Sequence, residues 1–354
     1  RRKRSLQQSS DMESVKTVEE AFARLQTEEA NHVGTLSNEQ DAVMMETSGT
    51  DEAGLLDDEA MPEEDPSFSA NTTQGEDQEG DDIPWDGVRT KGPVVCLLIG
   101  MAGSGKSTLF HRLHYDATEA TQPPKRCYFI NLDPAALDVP IEPHIDIRDA
   151  VDYRGVMREY RLGPNGAIVT SLNLFATQFE DVMKILDERA KDFDYVIVDT
   201  PGQIEAFTWS ASGQLIAETL ASTFATCVVY VVDTPRSRAP ATFMSNMVYA
   251  CSLLHKYQLP LIAAFNKSDV TDPKDEAFRW MDDFEAFHEA LDDAARDDSE
   301  SYVTSLHRSM SLVLDEFYRV LDKCAVSAAT GNGIADLWRK LDDARAEYDR
   351  SYGT

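Results

Sequence analysis

The residues Gly100-Met101-Ala102-Gly103-Ser104-Gly105-Lys106-Ser107-Thr108 put glycines, a lysine and two hydroxyls at the spacing of a loop that holds phosphate. Each residue type has a mechanical reason to be there. Glycines let the backbone curl so that successive N–H groups face one anion, which a Cβ would obstruct. In that geometry Gly103, Ser104, Gly105 and Thr108 belong to the cradle, Lys106 reaches the β- and γ-phosphates of a nucleotide, and Ser107 offers its hydroxyl to Mg²⁺. A glycine-rich turn can match by chance. Here the apolar run 94–99 precedes the loop and a helical pattern at 106–115 follows it, so a helix N-terminus is aimed at the phosphates as the motif requires.

Three further stretches carry groups that complete such a site. Tyr195-Val196-Ile197-Val198-Asp199-Thr200-Pro201-Gly202-Gln203 is an apolar strand ending in a carboxylate and a turn. Asp199 has the placement of an acid on Mg²⁺ or its water, Gly202 can give an N–H to the γ-phosphate, and Gln203 can orient the attacking water. Taken alone, Asp199-Thr200-Pro201 would suit an ordinary Asx turn. The run 261–265 leads into Asn266-Lys267-Ser268-Asp269. A carboxylate at Asp269 accepts two hydrogen bonds from guanine's ring N–H and exocyclic amine, and adenine presents no such pair of donors. Discrimination of that kind is strong because the wrong base leaves buried polar groups unpaired, so Asn266, Lys267 and Asp269 point to GTP rather than ATP. Backbone N–H groups of Ser327 and Ala328, after the last strand, are expected to close the base pocket. Asn131-Leu132-Asp133-Pro134-Ala135 brings one more carboxylate, Asp133, as a candidate for the Mg²⁺ shell or the nucleophilic water, with a plain turn as the bland reading. Gly163-Pro164-Asn165-Gly166 lies between two helical patterns and by itself reads as stop chemistry for the first of them.

These groups need a scaffold that brings several loops to one edge. From residue 93 onward, short apolar runs at 94–100, 126–131, 195–199, 226–233, 261–266 and 324–327 alternate with helical patterns at 106–115, 149–161, 171–190, 241–257, 275–292, 301–321 and 333–350. That alternation predicts an α/β fold of the P-loop NTPase type: a mostly parallel sheet with helices on both faces, helical insertions, and ligands at the C-terminal strand ends. The aromatic stripe Phe278, Trp280, Phe284, Phe287, Leu306, Met310, Leu314 and Phe317 reads as core, with a groove for a partner helix as the alternative. Residues 292–300 read as a solvated loop.

Composition narrows the partners. The net charge of −30 disfavours direct binding to nucleic acid or to an anionic membrane. Residues 1–92 hold 23 Asp/Glu against 8 Lys/Arg, and residues 1–90 are expected to be a disordered acidic extension of a domain spanning 93–354. No stretch approaches the ~20 apolar residues of a membrane span. The five cysteines are far apart, without a CxxC pair, and read as buried thiols of a reducing compartment. The seven histidines do not fall at metal spacing, so zinc is not expected. The opening Arg1-Arg2-Lys3-Arg4 could serve nuclear import, although such tetrads are usually just solvated.

The ordered set GMAGSGKST, NLDPA, GPNG, DTPGQIE, NKSD and SA, with stretches such as 168–175, 207–213, 243–247 and 308–318, resembles the GPN-loop GTPases, and within them the eukaryotic branch associated with RNA polymerase II. The resemblance covers about 93–354. It implies a homodimer, or a heterodimer with a GPN-loop paralogue, in which each Gly-Pro-Asn loop enters the other chain's site. It also implies RNA polymerase II as a client for assembly or nuclear import, and a cytoplasmic protein that shuttles to the nucleus. Related dimeric switches place a second lysine just after the first glycine of the phosphate loop. Met101 stands there in this chain and cannot donate, so Asn165, projected by Gly163 and Pro164, is the substitute that the resemblance implies. Two other readings remain open: a chaperone-like module in which GTP is mainly structural, and a small-molecule kinase, which would have no use for the guanine-reading residues.

Overall fold

The computed structural model describes residues 92–120, 124–136, 141–294, 314, 317–318 and 321–351. The acidic extension expected over 1–90, and Leu306 and Met310 of the pattern at 301–321, lie outside the described residues. The chain starts its sheet with β1 (Val94–Ile99), runs through the phosphate-loop residues into α1 (Lys106–Tyr115), passes a π-helical turn (Asp116–Ala120), and returns as β2 (Cys127–Asn131) and the two-residue β3 (Ile145–Asp146). Four helices follow: α2 (Ile147–Ala150), α3 (Tyr153–Glu159), α4 (Pro164–Ala176) and α5 (Phe179–Arg189). β4 (Tyr195–Asp199) leads to α6 (Ile204–Thr208) and α7 (Ala211–Thr223), and β5 (Ala225–Asp233) to a 3₁₀ turn (Pro235–Arg238) and α8 (Pro240–Tyr257). β6 (Leu261–Asn266) is followed by α9 (Ala277–Asp282) and α10 (Phe284–Ala294), and the described chain ends with β7 (Asp322–Ala325) and α11 (Ile334–Ser351).

The seven strands form one parallel sheet in the order β3-β2-β4-β1-β5-β6-β7. The register matters more than the order. Asn131 and Leu98 each stand opposite Asp199, and Asp233 stands opposite Asn266, so the polar residue closing each run emerges at one level of one edge. The strands are long apolar runs because both faces are covered. Val94, Cys96 and Leu98 point to a layer made of α1 and α11, where Leu109, Phe110, Leu113, Leu337, Trp338 and Leu341 pack. Val95, Leu97 and Ile99 point the other way, toward the helices between β3 and β7. Chain direction across the sheet reverses at β1, and ligand crevices of open α/β sheets form where that happens.

Several boundaries differ from the sequence expectation, each for a local reason. The pattern at 149–161 is two helices, because Val151 is extended and Asp152 restarts the helix by accepting from the Arg154 N–H. The pattern at 171–190 starts earlier and breaks once: α4 begins at Pro164, whose fixed φ and missing N–H suit a first helical position. Gly163-Pro164-Asn165 is therefore the start of a helix and not the stop of the previous one. α6, α7 and β3 were not expected, the last strand lies at 322–325 instead of 324–327, and α10 runs to Ala294 through part of the expected loop. The aromatic stripe is core for Trp280, Phe287, Leu314 and Phe317, which are buried, with Phe243 meeting Trp280 and Phe287 edge-on at 5.2 and 5.5 Å, whereas Phe278 and Phe284 are half-buried.

Trp338 closes the α1–α11 face, with its ring 4.8 Å from that of Tyr195 and its indole N–H on Asp116 at 2.8 Å. Trp338→Ala should cost about 3–5 kcal/mol of unfolding free energy and Trp338→Phe clearly less, read from chemical denaturation of the full chain.

Candidate functional site

The phosphate loop is built as a cradle. Gly105 caps α1 at φ 92°, and a Cβ there would meet the Asn266 amide nitrogen at 2.4 Å, so both the backbone and the neighbour exclude a side chain. Lys106 is buried and donates to the carbonyl of Gly100 at 2.6 Å and more weakly to that of Met101 at 3.4 Å. Burial lowers its pKa, and the charges of Asp199 and Asp133 act against that. The Ser104 hydroxyl is buried in the same loop with no hydrogen-bond partner. Ser107 and Thr108 are exposed at the head of α1.

Asp199 closes β4 beside that loop and is buried. Burial pushes its carboxyl up to about 7, against a hydrogen bond from Ser107 and the charge of Lys106, while nearby Asp133 adds to the rise. Its Oδ1 has no hydrogen-bond partner. Thr200, the next residue, anchors the turn by donating to the Leu98 carbonyl at 2.6 Å. Asp133 Oδ2 accepts from the Gly202 N–H at 3.2 Å and Oδ1 from the Ala135 N–H at 2.9 Å. Burial raises the Asp133 pKa, opposed by those two N–H groups and by the charges of Lys106 and Arg148. Gln203 is half-buried at the entrance of α6 and makes no capping bond. Lys106, Ser107, Asp133, Asp199 and Gly202 are thus one cluster.

The supports of Asp133 escaped the sequence reading. Asn131 Oδ1 accepts from the Asp133 N–H at 3.0 Å, and its amide donates to Asp146 at 3.1 Å. Asp146 is buried and takes a two-pronged pair from Arg148 at 2.9 and 2.7 Å, and Arg148 also donates to the Ala136 carbonyl at 3.2 Å. This lattice pins both ends of the Asp133 turn. Its only sequence trace is the Asp-Ile-Arg spacing after a two-residue strand, too short for periodicity to register.

On the base side, Asn266 is buried with both ends engaged: Oδ1 accepts from the Ala328 N–H at 3.0 Å, and Nδ2 donates to the Ser104 carbonyl at 2.9 Å. Asn266 therefore ties the phosphate loop to the last loop instead of turning its amide outward. Lys267, at φ 65°, lies across the phosphate loop, donating to the Gly103 carbonyl and to Asp233, each at 2.7 Å. Asp269 is exposed, and its Oδ1 accepts from the Ser327 hydroxyl at 2.6 Å. The expected use of the Ser327 and Ala328 N–H groups does not match this geometry. The first donates to the Asn332 carbonyl and the second to Asn266, so these two residues shape the pocket through Ser327's hydroxyl and through the turn itself.

Asn165 is exposed on the first turn of α4. The peptide before it is fixed to the chain's own site: the Tyr153 hydroxyl donates to the Pro164 carbonyl at 3.2 Å. Burial, together with the charge of Asp133, raises that hydroxyl's pKa. Among the described residues no group of three His, Cys, Asp or Glu forms a metal cluster, and no helix is long and apolar enough to cross a membrane.

Known proteins share this arrangement. The family described as "Conserved hypothetical ATP binding protein" matches residues 98–347. GPN-loop GTPase 1 of Saccharomyces cerevisiae is 50% identical over 264 residues, covering 73% of this chain and 67% of that protein. The chain belongs to the GPN-loop GTPase family. Its Dictyostelium discoideum relative, GPN-loop GTPase 1, is 50% identical over 262 residues, 74% of this chain and 64% of that one, so the chain spans about two thirds of the length of such curated relatives. A crystal structure of PAB0955 from Pyrococcus abyssi, described as a GTPase in apo form, superposes with a TM-score of 0.61 at 27% identity, over 71% of this chain and 97% of that one. The parallel sheet and the loops at its edge are thus those of a GPN-loop GTPase fold.

The Asp146 lattice yields a prediction with a sign. Burial alone would raise the Asp146 pKa, but Arg148 and Asn131 outweigh it and hold the carboxyl below its ordinary 3.8. The stabilisation is therefore present above that value and is lost as pH falls through the lower folded value. Asp146→Asn should lower stability by ~2 kcal/mol at neutral pH, and the gap to the unaltered chain should narrow below about pH 4. A constant gap in thermal midpoints across that range would contradict the pairing.

Proposed function

We propose that this chain is a Mg²⁺-dependent GTP-binding and GTP-hydrolysing switch whose site is completed by a second GPN-loop chain. The observation that carries this reading is the buried pair of Asp199 and Lys106 beside the phosphate loop, with the half-buried Asp133 close to both. A buried carboxylate with an unpartnered oxygen is costly unless a ligand uses it. Asp199 Oδ1 and the Ser107 hydroxyl are hard oxygen donors of the kind Mg²⁺ takes. Such an ion, when bound, supplies charge neutralisation at the phosphates. The protein's own groups do the rest. Lys106 leaves the Gly100 carbonyl for the β/γ-phosphates, and the Gly202 N–H leaves Asp133 for the γ-phosphate. Asp133, so released, and Gln203 then hold the attacking water. Asp269 selects guanine, and Asn165 of the second chain supplies the amide that Met101 cannot.

The similarity to GPN-loop GTPases 1 supports the GTP reading. The branch resemblance extends it to a homodimer or a pair with a paralogue, to RNA polymerase II as client, and to passage from cytoplasm to nucleus. Co-purification of the tagged chain from a native extract checks those partners.

Calorimetry should give GTP at least ~100-fold tighter binding than ATP, because the wrong base strands buried polar groups. Preference for ATP would overturn the reading. The role of Asn165 is checked by mixing Asn165→Ala chains with Lys106→Ala chains. Hydrolysis should recover above either variant alone, since one site of each mixed pair regains both groups; mixed pairs that form without recovery would rule out action across chains.

A further inference from the structure

The turn on the base side is held from behind by a residue of the phosphate side. Arg112 lies on α1, less than two turns after Lys106. Its Nε donates to the Ala328 carbonyl at 2.8 Å, and its Nη2 donates to the Ala329 carbonyl. The other side of that turn runs to the base-reading carboxylate. The Thr330 N–H donates to Ser327 Oγ at 3.1 Å, and the Ser327 hydroxyl donates to Asp269 Oδ1 at 2.6 Å.

A trans peptide unit holds its C=O and N–H in one plane, pointing in opposite directions. The unit between Ala329 and Thr330 therefore receives Arg112 on its oxygen and hands its N–H to Ser327. A cation on the carbonyl polarises the unit and strengthens the N–H as a donor, and a hydroxyl that accepts a stronger bond donates a stronger one in turn. The unit between Ala328 and Ala329 is fixed in the same way, so its N–H must leave on the side away from Arg112. Gly331 shows how closely the turn is fitted to the guanidinium: at φ 89°, a Cβ there would stand 3.3 Å from Arg112 Nη1.

We propose that Arg112 is a positioning residue for guanine recognition, fixing the Asp269 carboxylate through the Ala329–Thr330 peptide and the Ser327 hydroxyl. This rests on the GTP reading given above. One helix then sets both subsites, phosphate at its N-terminus and base from its middle, and Arg112 itself touches no nucleotide. Lysine is a poor replacement, because a single ammonium cannot serve two carbonyls in the fork geometry of a guanidinium.

The test compares binding of GTP, ITP and ATP to the full chain and to its Arg112→Ala and Arg112→Lys variants. ITP lacks the exocyclic amine that Asp269 accepts from, so the GTP:ITP affinity ratio reports the grip of that carboxylate. Arg112→Ala should weaken GTP by ~10-fold or more and ITP and ATP by much less, so that the GTP:ITP ratio falls by roughly that difference; Arg112→Lys should fall between. A merely structural role would weaken all three nucleotides alike and leave the ratio unchanged, and either that pattern or unaltered binding overturns the proposal. If Arg112→Ala does not fold, Arg112→Lys decides by the same ratio. An unaltered chain with no preference for GTP over ATP would sink the GTP reading and this proposal with it, whereas a GTP:ITP ratio left undiminished by both substitutions would sink this proposal alone.

Discussion

Everything at this site follows from burying a carboxylate next to a buried ammonium. Asp199 sits in the interior with one oxygen unpartnered and its protonation pushed up to about 7, and Lys106 beside it is desolvated as well. Charges in such a place are expensive, and truncating one partner of such a cluster usually costs more than the cluster contributes. A chain keeps an arrangement like this where a ligand of complementary charge relieves it. The parallel sheet makes the arrangement geometrically possible, because the register sets Leu98, Asn131 and Asp199 side by side at the edge where the phosphate loop begins.

The two halves of the site are organised differently. The phosphate half relies on backbone groups and on charges that compensate one another. The base half relies on hydrogen-bonded side chains that join loops far apart in sequence: Asn266 bridges Ser104 and Ala328, Lys267 bridges Gly103 and Asp233, and Ser327 holds Asp269. Because Asn266 contacts the phosphate loop directly, the halves cannot move independently.

Motifs and strand ends were legible in the sequence because each rests on a local rule. Gly105 and Lys106 announce the phosphate loop, and the apolar run ending in Asp199 announces its partner strand. What stayed hidden is what long-range contacts decide. The Asp146–Arg148 lattice comes from a two-residue strand, and the engagement of the Ser327 and Ala328 N–H groups depends on Asn332 and on Asn266, which is 62 residues from Ala328. The Gly-Pro-Asn stretch was found, but its sense was reversed. Proline serves equally as a helix terminator and as a first helical residue, and only the packing of α4 chooses between them.

That reversal changes how the Gly-Pro-Asn stretch connects to the chemistry. As the opening turn of a helix it is rigid, with Tyr153 fixing the Pro164 carbonyl while feeling the charge of Asp133. Asp133 in turn holds the Gly202 N–H. A γ-phosphate that claims this N–H must take it from Asp133. Asn165 is the next residue after that proline. The Gly202 N–H and the turn that carries Asn165 are thus each held by one side chain, Asp133 for the first and Tyr153 for the second.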